Sequence, residues 1–88
     1  MHLNGKYIVN KCGSTSSLPR HARVGDTFKV IEYEPDDYGV EILMKFDREI
    51  EGTHDGNGGG EVKGCWWAYE SNIKNYCSLI YENPRWEV

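Results

Sequence analysis

Two alternating segments joined by a turn cluster constrain the fold of this chain more than any other feature. Residues 27–34 and residues 40–47 both switch between apolar and polar side chains with a period close to two. That period is typical of strands that bury one face. Between them lie Pro35, which presets a bend, and Gly39, which tolerates positive φ. The pattern predicts an antiparallel β-hairpin.

Further short strands are expected on both sides of this hairpin. Residues 6–10 and residues 65–69 are rich in aromatic and β-branched side chains, which favour strands. Residues 75–81 predict a closing strand, and residues 70–73 a single turn of helix. Residues 11–23 contain Gly, Pro and a run of Ser and Thr, which is typical of a loop.

A glycine-rich segment separates the hairpin from the strand at 65–69. Residues 48–64 hold six of the ten glycines of the chain. Such a density disfavours a regular helix or a long strand, so we expect a long irregular loop. Loops of this length in compact domains are often functional.

The length of 88 residues allows one domain, over residues 1–88, with a single core. The expected class is all-β, a small SH3-like antiparallel β-barrel of five to six short strands with one long Gly-rich loop. Closure is favoured because an open sheet of this size leaves its edge strands unpaired. Strands near the two ends of the chain would then pair with each other. The alternative is an antiparallel sheet whose edge a second chain covers in a homodimer.

Charge and composition argue against several classes of protein. The net charge of −4 argues against sequence-independent binding to nucleic-acid phosphates. No apolar run is long enough to span a membrane, and no signal peptide is expected at the first residues. The three cysteines (an odd number) argue against a disulfide framework and favour a reducing cytoplasm. We expect no metal and no cofactor, since ligand pairs at zinc spacing are missing and the calcium-like start at Asp55 has Trp66 at the position of the required Glu.

Several motifs carry a resemblance to known proteins. Residues 23–30 resemble the V-G-D-x-V-x-V opening of many SH3-like modules. Residues 54–60, 64–67 and 70–73 resemble a G-H-(D/N)-G-x-G … C-W-W … (E/D)-x-x-L signature of small uncharacterised bacteriophage SH3-like β-barrel proteins. The pattern is also loosely similar to that of CAP-Gly and Mib/Herc2 barrels. The resemblance implies a phage-encoded protein in the cytoplasm of its host.

The candidate binding residues lie on the glycine-rich loop and on the strand that follows it: His54, Asp55, Asn57, Trp66, Trp67 and Tyr69. Trp66 and Trp67 are adjacent, so on a strand they point to opposite faces. One indole should fill the core, and the other should offer an outward contact to a partner. The alternatives are that the loop residues only brace the loop, and that the second indole is covered by the loop or by Trp86.

An acidic surface is a second candidate, in two clusters at the turn of the hairpin and at its far end: Glu34, Asp36, Asp37, Glu49 and Glu51. These carboxylates would meet a basic surface of a partner, or would simply be solvated. The loop with Arg20, His21 and Arg23 is basic and would suit an anionic ligand.

These residues favour a non-enzymatic interaction module. Combined with the resemblance, the expected partner is a host protein of an antiviral defence system, such as a CRISPR component, which the chain would bind and inhibit. The alternative is an oligomer that binds or sequesters a small nucleotide-like signal between chains, lined by Trp67, His54 and the loop 20–23. Cys65 and His54 make an imaginable nucleophile and base, but we expect the thiol to be buried and inert.

Overall fold

A five-stranded antiparallel sheet with little helix forms the body of the protein. The computed structural model describes residues 1–12, 17–54 and 64–81. The strands are β1 (Lys6–Val9), β2 (Thr27–Asp36), β3 (Gly39–Phe46), β4 (Cys65–Tyr69) and β5 (Cys77–Tyr81). Between β4 and β5 lie one turn of helix, α1 (Glu70–Ile73), and a 3-10 turn at Lys74–Tyr76. The predicted strand at 65–69 and helical turn at 70–73 are confirmed, whereas the closing strand begins two residues later than expected.

The predicted hairpin is confirmed as the longest pairing in the sheet. β2 and β3 run antiparallel, and their partners extend from Phe28 opposite Phe46 to Asp36 opposite Gly39. The register shifts at Ile31, which is the extra residue of a β-bulge. Such a bulge increases the local twist and interrupts the strict alternation that the sequence suggested.

The strand order is β4-β3-β2-β1-β5. β1 pairs with β5, which confirms the expectation that strands near the two ends of the chain meet. β4 and β5 lie at opposite edges of the sheet, and in the part of the chain that the structure describes no pairing between them closes a barrel. The all-β class of the expected fold is therefore confirmed.

One face of the sheet, the core face, carries the hydrophobic core. Phe28 is fully buried there, with its ring 5.6 Å from that of Tyr7 and 5.1 Å from that of Phe46. Side chains from outside the strands complete this cluster: Leu18, Ala22, Ile50 and Ile73. We call the opposite side of the sheet the outer face, with Lys29, Glu32, Leu43, Lys45 and Trp67 among its residues.

An arginine clamp holds the loop before β2 against the turn after β3. Arg48 donates from Nε and Nη2 to the two carboxylate oxygens of Asp26, at 2.7 and 2.8 Å. The Arg48 guanidinium holds the pKa of Asp26 below its ordinary value. A third bond runs from Arg48 Nη2 to the backbone oxygen of His21 at 3.2 Å. The clamp was not expected from the sequence, because its two members lie 22 positions apart.

Helical structure is limited to single turns. Among residues 1–12, 17–54 and 64–81, no helix is long and apolar enough to cross a membrane.

Candidate functional site

The two adjacent indoles lie on opposite faces of β4. Trp66 stands opposite Met44 and packs against the core, and its indole N–H donates to the backbone oxygen of Ser17 at 2.7 Å. Trp67 stands opposite Leu43 on the outer face and is partly exposed. The structure therefore assigns Trp66 to the core and leaves Trp67 as the candidate contact residue.

Leu43 shows that the outer face is not purely polar. Its neighbours along β3 on that face are Glu41 and Lys45, yet Leu43 is only 2% exposed. Trp67 and Glu32 flank it on the adjacent strands. A small apolar centre, Leu43 with Trp67, thus interrupts a charged surface.

Tyr69 connects β4 to the tip of the hairpin. Its hydroxyl donates to Asp36 Oδ2 at 2.7 Å, and the backbone N–H of Tyr38 donates to Asp36 Oδ1 at 2.7 Å. The hydrogen bond from Tyr69 lowers the pKa of Asp36, and the same bond raises the pKa of Tyr69. Two residues that sequence reasoning assigned to different surfaces, Tyr69 and Asp36, therefore belong to one cluster.

His54 lies at the neck of the glycine-rich segment. Its backbone pairs with that of Cys65 through two hydrogen bonds, His54 N to Cys65 O at 3.0 Å and Cys65 N to His54 O at 2.9 Å. Directly opposite residues share a face, so the two side chains lie on the outer side. The Cys65 side chain is 2% exposed, which limits access to its thiol.

The neck itself is built by Thr53 and Gly64. Thr53 is buried, and its hydroxyl oxygen accepts the backbone N–H of Gly64 at 3.0 Å. Gly64 has a φ of 83°, and a Cβ there would lie 2.8 Å from the backbone oxygen of Arg48. Only glycine fits this close approach without strain. Asp55 and Asn57, the other predicted residues of the loop, lie outside the described residues.

The acidic residues fall at two ends of the hairpin. Glu34, Asp36 and Asp37 are exposed at the tip, whereas Glu49 and Glu51 are exposed beyond the end of β3. Glu51 lies beside His21, with 3.8 Å between the carboxylate oxygen and Nε2. The two clusters are therefore separate surfaces.

A row of three lysines is the feature that sequence reasoning missed. Lys6 stands opposite Lys29, and Lys29 stands opposite Lys45, on three adjacent strands. We call these residues the lysine row. In sequence they are 23 and 16 positions apart, so only the strand register places them side by side.

The small-ligand pocket was expected between chains, and the residues expected to line it are spread over one chain. Leu18 and Ala22, which flank Arg20, pack into the core cluster, whereas Trp67 lies on the outer face. The loop 20–23 and Trp67 therefore lie on different sides of the sheet, and one chain cannot line a pocket with both.

The cysteines have different environments. Cys12 is exposed, Cys65 is buried and Cys77 is partly buried, all as free thiols. Burial raises the pKa of the Cys77 thiol to about 12.

In the ranges the structure describes, no group of three or more His, Cys, Asp or Glu side chains is placed to hold a metal ion.

The whole chain was compared with protein families, curated proteins and solved structures, without a match. This holds for the family models, the curated proteins and the solved structures alike.

Proposed function

We propose that this chain is a non-enzymatic protein-binding module that contacts its partner with the outer face. The observation that carries the proposal is the position of Trp67, partly exposed beside Leu43 on the side of the sheet away from the core. Tryptophan is enriched among the few interface residues that dominate binding energy.

Charge around Trp67 indicates the chemistry of the partner. Glu34 and Glu41 stand opposite each other on the outer face, and Asp36 lies near them at the hairpin tip. This end of the face fits a basic surface on a partner protein, since complementary charge increases association rates and selects partners.

The proposal includes an SH3-like barrel fold and a bacteriophage origin. The strand order, the long bulged β2 and the 3-10 turn before β5 support an SH3-like barrel. The resemblance to bacteriophage proteins would make the partner a host protein of an antiviral defence system in the host cytoplasm, which the chain inhibits.

We also propose that the chain is not an enzyme. Cys65 and His54 are the one nucleophile and base pair that the neck brings together, and the Cys65 side chain is nearly inaccessible. A substrate would need to displace the surrounding structure to reach that thiol.

Affinity capture followed by reconstitution tests the proposal. The full chain, fixed on a resin, should retain specific proteins from bacterial lysate, and the purified proteins should bind it in solution. The Trp67→Ser variant should lose this binding, whereas Val24→Ser should keep it, since Val24 is 64% exposed on a distant turn. Retention of the same proteins by the Trp67→Ser variant would contradict the proposal.

A second function has one specific observation in its favour. The lysine row ends near His54 and Cys65, which gives the outer face a basic end. A small nucleotide-like anion would fit such an end, in an oligomer that binds or sequesters it. ATP should then raise the unfolding midpoint of the full chain in proportion to the logarithm of its concentration, and Lys29→Ala should remove this shift. Unchanged midpoints with ATP would eliminate this function.

A further inference from the structure

The strand β5 lies at one edge of the sheet, and one of its sides is open. It stands at the end of the strand order β4-β3-β2-β1-β5. Within residues 1–12, 17–54 and 64–81, β1 is the one strand that pairs with it. Leu79 and Ile80 are 43% and 48% exposed there. Unpaired N–H and C=O groups along an edge strand are a template on which a further strand can form.

The hydrogen bonds of β1 show which of its residues face β5. Val9 faces β2, since its N–H donates to the backbone oxygen of Asp26 at 2.8 Å. Backbone groups of successive residues in an antiparallel strand point to alternate sides. Ile8, next to Val9, therefore directs its N–H and C=O to β5. The same holds for Asn10, whose N–H donates to the backbone oxygen of Tyr76 at 2.7 Å, just before β5 begins.

The same alternation shows which residues of β5 face the open side. Ser78 stands opposite Ile8, so the backbone groups of Ser78 face β1. Cys77 and Leu79, on either side of Ser78, therefore direct their N–H and C=O groups to the open side. A register shift leaves Ile80 as an extra residue, so the regular part of this edge is residues 77–79.

Another open stretch, on β2, carries features that oppose pairing. Residues 31–36 extend beyond the pairing of β2 with β1 and are exposed. Pro35 has no N–H to donate, and Glu32 and Glu34 add negative charge. The bulge at Ile31 twists this stretch further. Natural proteins use these features to keep an edge from pairing with another chain.

The edge at β5 has neither charge nor proline. Its residues are C-S-L-I-Y. At the opposite edge of the sheet, His54 already exchanges two backbone hydrogen bonds with Cys65 of β4. A copy of β5 laid against β5 brings no like charges together, whereas a copy of residues 31–36 laid against itself would do so. Charge therefore favours self-pairing at β5.

We propose that a second copy of this chain pairs with β5 through its own β5, antiparallel, in a symmetric dimer whose sheet is continuous across the junction. The two-fold axis passes beside Ser78, so that Cys77 of each copy lies opposite Leu79 of the other. In this register the open-side N–H and C=O groups of both residues in both copies bond across the junction. Such an interface is isologous, since each strand is both donor and acceptor.

The side chains at the junction fit this register. Leu79 stands opposite Tyr7, which belongs to the core cluster, so Leu79 lies at the rim of the core face. Cys77 stands opposite Val9, another core residue, and shares that face. In the dimer each Leu79 packs beside the smaller Cys77 of the other copy. The two core faces then meet along the junction.

The dimer does not depend on the proposed function. Trp67 lies on β4, and β4 and β5 are opposite edges of the sheet. A partner protein bound at Trp67 would leave the open side of β5 accessible. The dimer is measured on the purified chain alone, so failure to dimerise is distinguishable from failure to bind a partner.

Sedimentation equilibrium of the full chain at increasing concentration tests for the dimer. The average mass should rise from 10.1 kDa towards twice that value. Because paired edge strands bury a small area, we expect a dissociation constant of about 0.1–0.5 mM. A monomer at every concentration up to ~2 mM would overturn the proposal and would leave this edge to a strand of another protein.

Amide hydrogen exchange followed by NMR locates the contact. The N–H groups of Cys77 and Leu79 should exchange about two- to threefold more slowly at ~1 mM than at ~0.05 mM chain. The N–H of Ser78 faces β1 in monomer and dimer alike, so its rate should not change. Equal rates for Cys77 and Leu79 at both concentrations, in a chain that dimerises, would place the contact elsewhere and refute the proposal.

A charge on the edge should separate the copies. Leu79→Lys gives β5 the kind of protection that natural edge strands carry, and it should weaken the dimer about tenfold or more. Val24→Lys is the matched control, because it changes the net charge equally at a side chain that is 64% exposed outside the strands. It should dimerise like the wild type. Equal weakening by both variants would mean that net charge sets association, and the proposal would fail. Circular dichroism melts verify that both are folded.

Proline distinguishes the two sides of β5, since it has no N–H. Leu79→Pro removes a donor on the open side, so the chain should stay folded and remain monomeric at ~2 mM. Ser78→Pro removes a donor that faces β1, so it should lower the unfolding midpoint much more. Dimerisation of Leu79→Pro at the wild-type concentration would contradict the proposed register. Equal losses of stability in the two variants would show that the sides are assigned wrongly.

Discussion

Trp66 and Trp67 are the same residue type at adjacent positions, yet they belong to different faces of the sheet. Trp66 packs against the core and holds the backbone oxygen of Ser17 through its indole N–H. Trp67 lies across from Leu43 on the outer face, between basic and acidic side chains. One strand therefore separates a side that builds the hydrophobic core from a side whose residues are mostly exposed or partly exposed.

The two faces should respond differently to substitution. The core face consists of fully buried side chains such as Phe28, Val30 and Met44, which belong to one hydrophobic cluster. The outer face consists mostly of partly or fully exposed side chains. Changes on the first should alter the free energy of unfolding, and changes on the second should alter association.

The largest expected effect comes from Phe28. Phe28→Ala removes a fully buried ring that contacts the rings of Tyr7 and Phe46, so it should cost about 3–5 kcal/mol in the free energy of unfolding. Lys29→Ala, at the next position on the outer face, should cost less than about 0.5 kcal/mol. Urea denaturation measures both, and similar costs for the two variants would break the comparison of the faces.

The next largest effect is expected at the neck of the glycine-rich segment. Gly64→Ala introduces a Cβ 2.8 Å from the backbone oxygen of Arg48 at a φ of 83°, and should cost about 3 kcal/mol. Gly52→Ala is the matched control, because its φ is 91° with open space around the Cβ. It should cost only about 1 kcal/mol. Equal costs would show that the close approach at Gly64 is relieved by a small shift.

Substitution of the two indoles should have smaller effects, and it tests directly which indole belongs to the core. Trp66→Phe loses the hydrogen bond to Ser17 and should cost about 1–2 kcal/mol in the free energy of unfolding. Trp67→Phe should change that free energy by about 0.5 kcal/mol or less. If Trp67→Phe proved the more destabilising of the two in urea, the assignment of the faces would be reversed.

The smallest effect concerns the clamp beside the core face. The pKa of Asp26 is lowered in the folded protein, so the unfolded chain binds the proton more readily. The clamp therefore stabilises the fold above the ordinary pKa of 3.8, and this contribution is lost as the pH falls below it. Asp26→Asn should remove less than about 1 kcal/mol at neutral pH, and its stability should depend less on pH in the acid range.

A double-variant cycle checks the physical cause of that dependence. Arg48→Met should reproduce most of the effect of Asp26→Asn, and combining the two should add little, because both remove the same interaction. Additive losses in urea denaturation at acid and neutral pH would mean that each residue acts through other contacts.

Short sequence patterns were sufficient to predict most of the strands and the helical turn. The hairpin, β4 and α1 follow from alternation and from composition within a few residues. The bulge at Ile31 was not predictable, because it depends on how two strands slide past each other and not on either strand alone. Pairing of β1 with β5 was expected from closure of the chain ends and is confirmed.

The candidate site was only partly predictable. Opposite faces for Trp66 and Trp67 follow from strand geometry, but which indole points inward depends on the partners across β3. The bond from Tyr69 to Asp36 joins residues 33 positions apart, so no local pattern indicates it.

The amino-acid sequence by itself determined the strands, the turns and the period-two division of each strand into two faces. These depend on the backbone preferences and hydrophobicity of neighbouring residues, which act over a few positions. The lysine row, the pairing of Glu34 with Glu41, the inward indole and the backbone pairing of His54 with Cys65 appear only in the tertiary structure. All of these depend on the register between strands that are distant in sequence, and that register is set when the core packs.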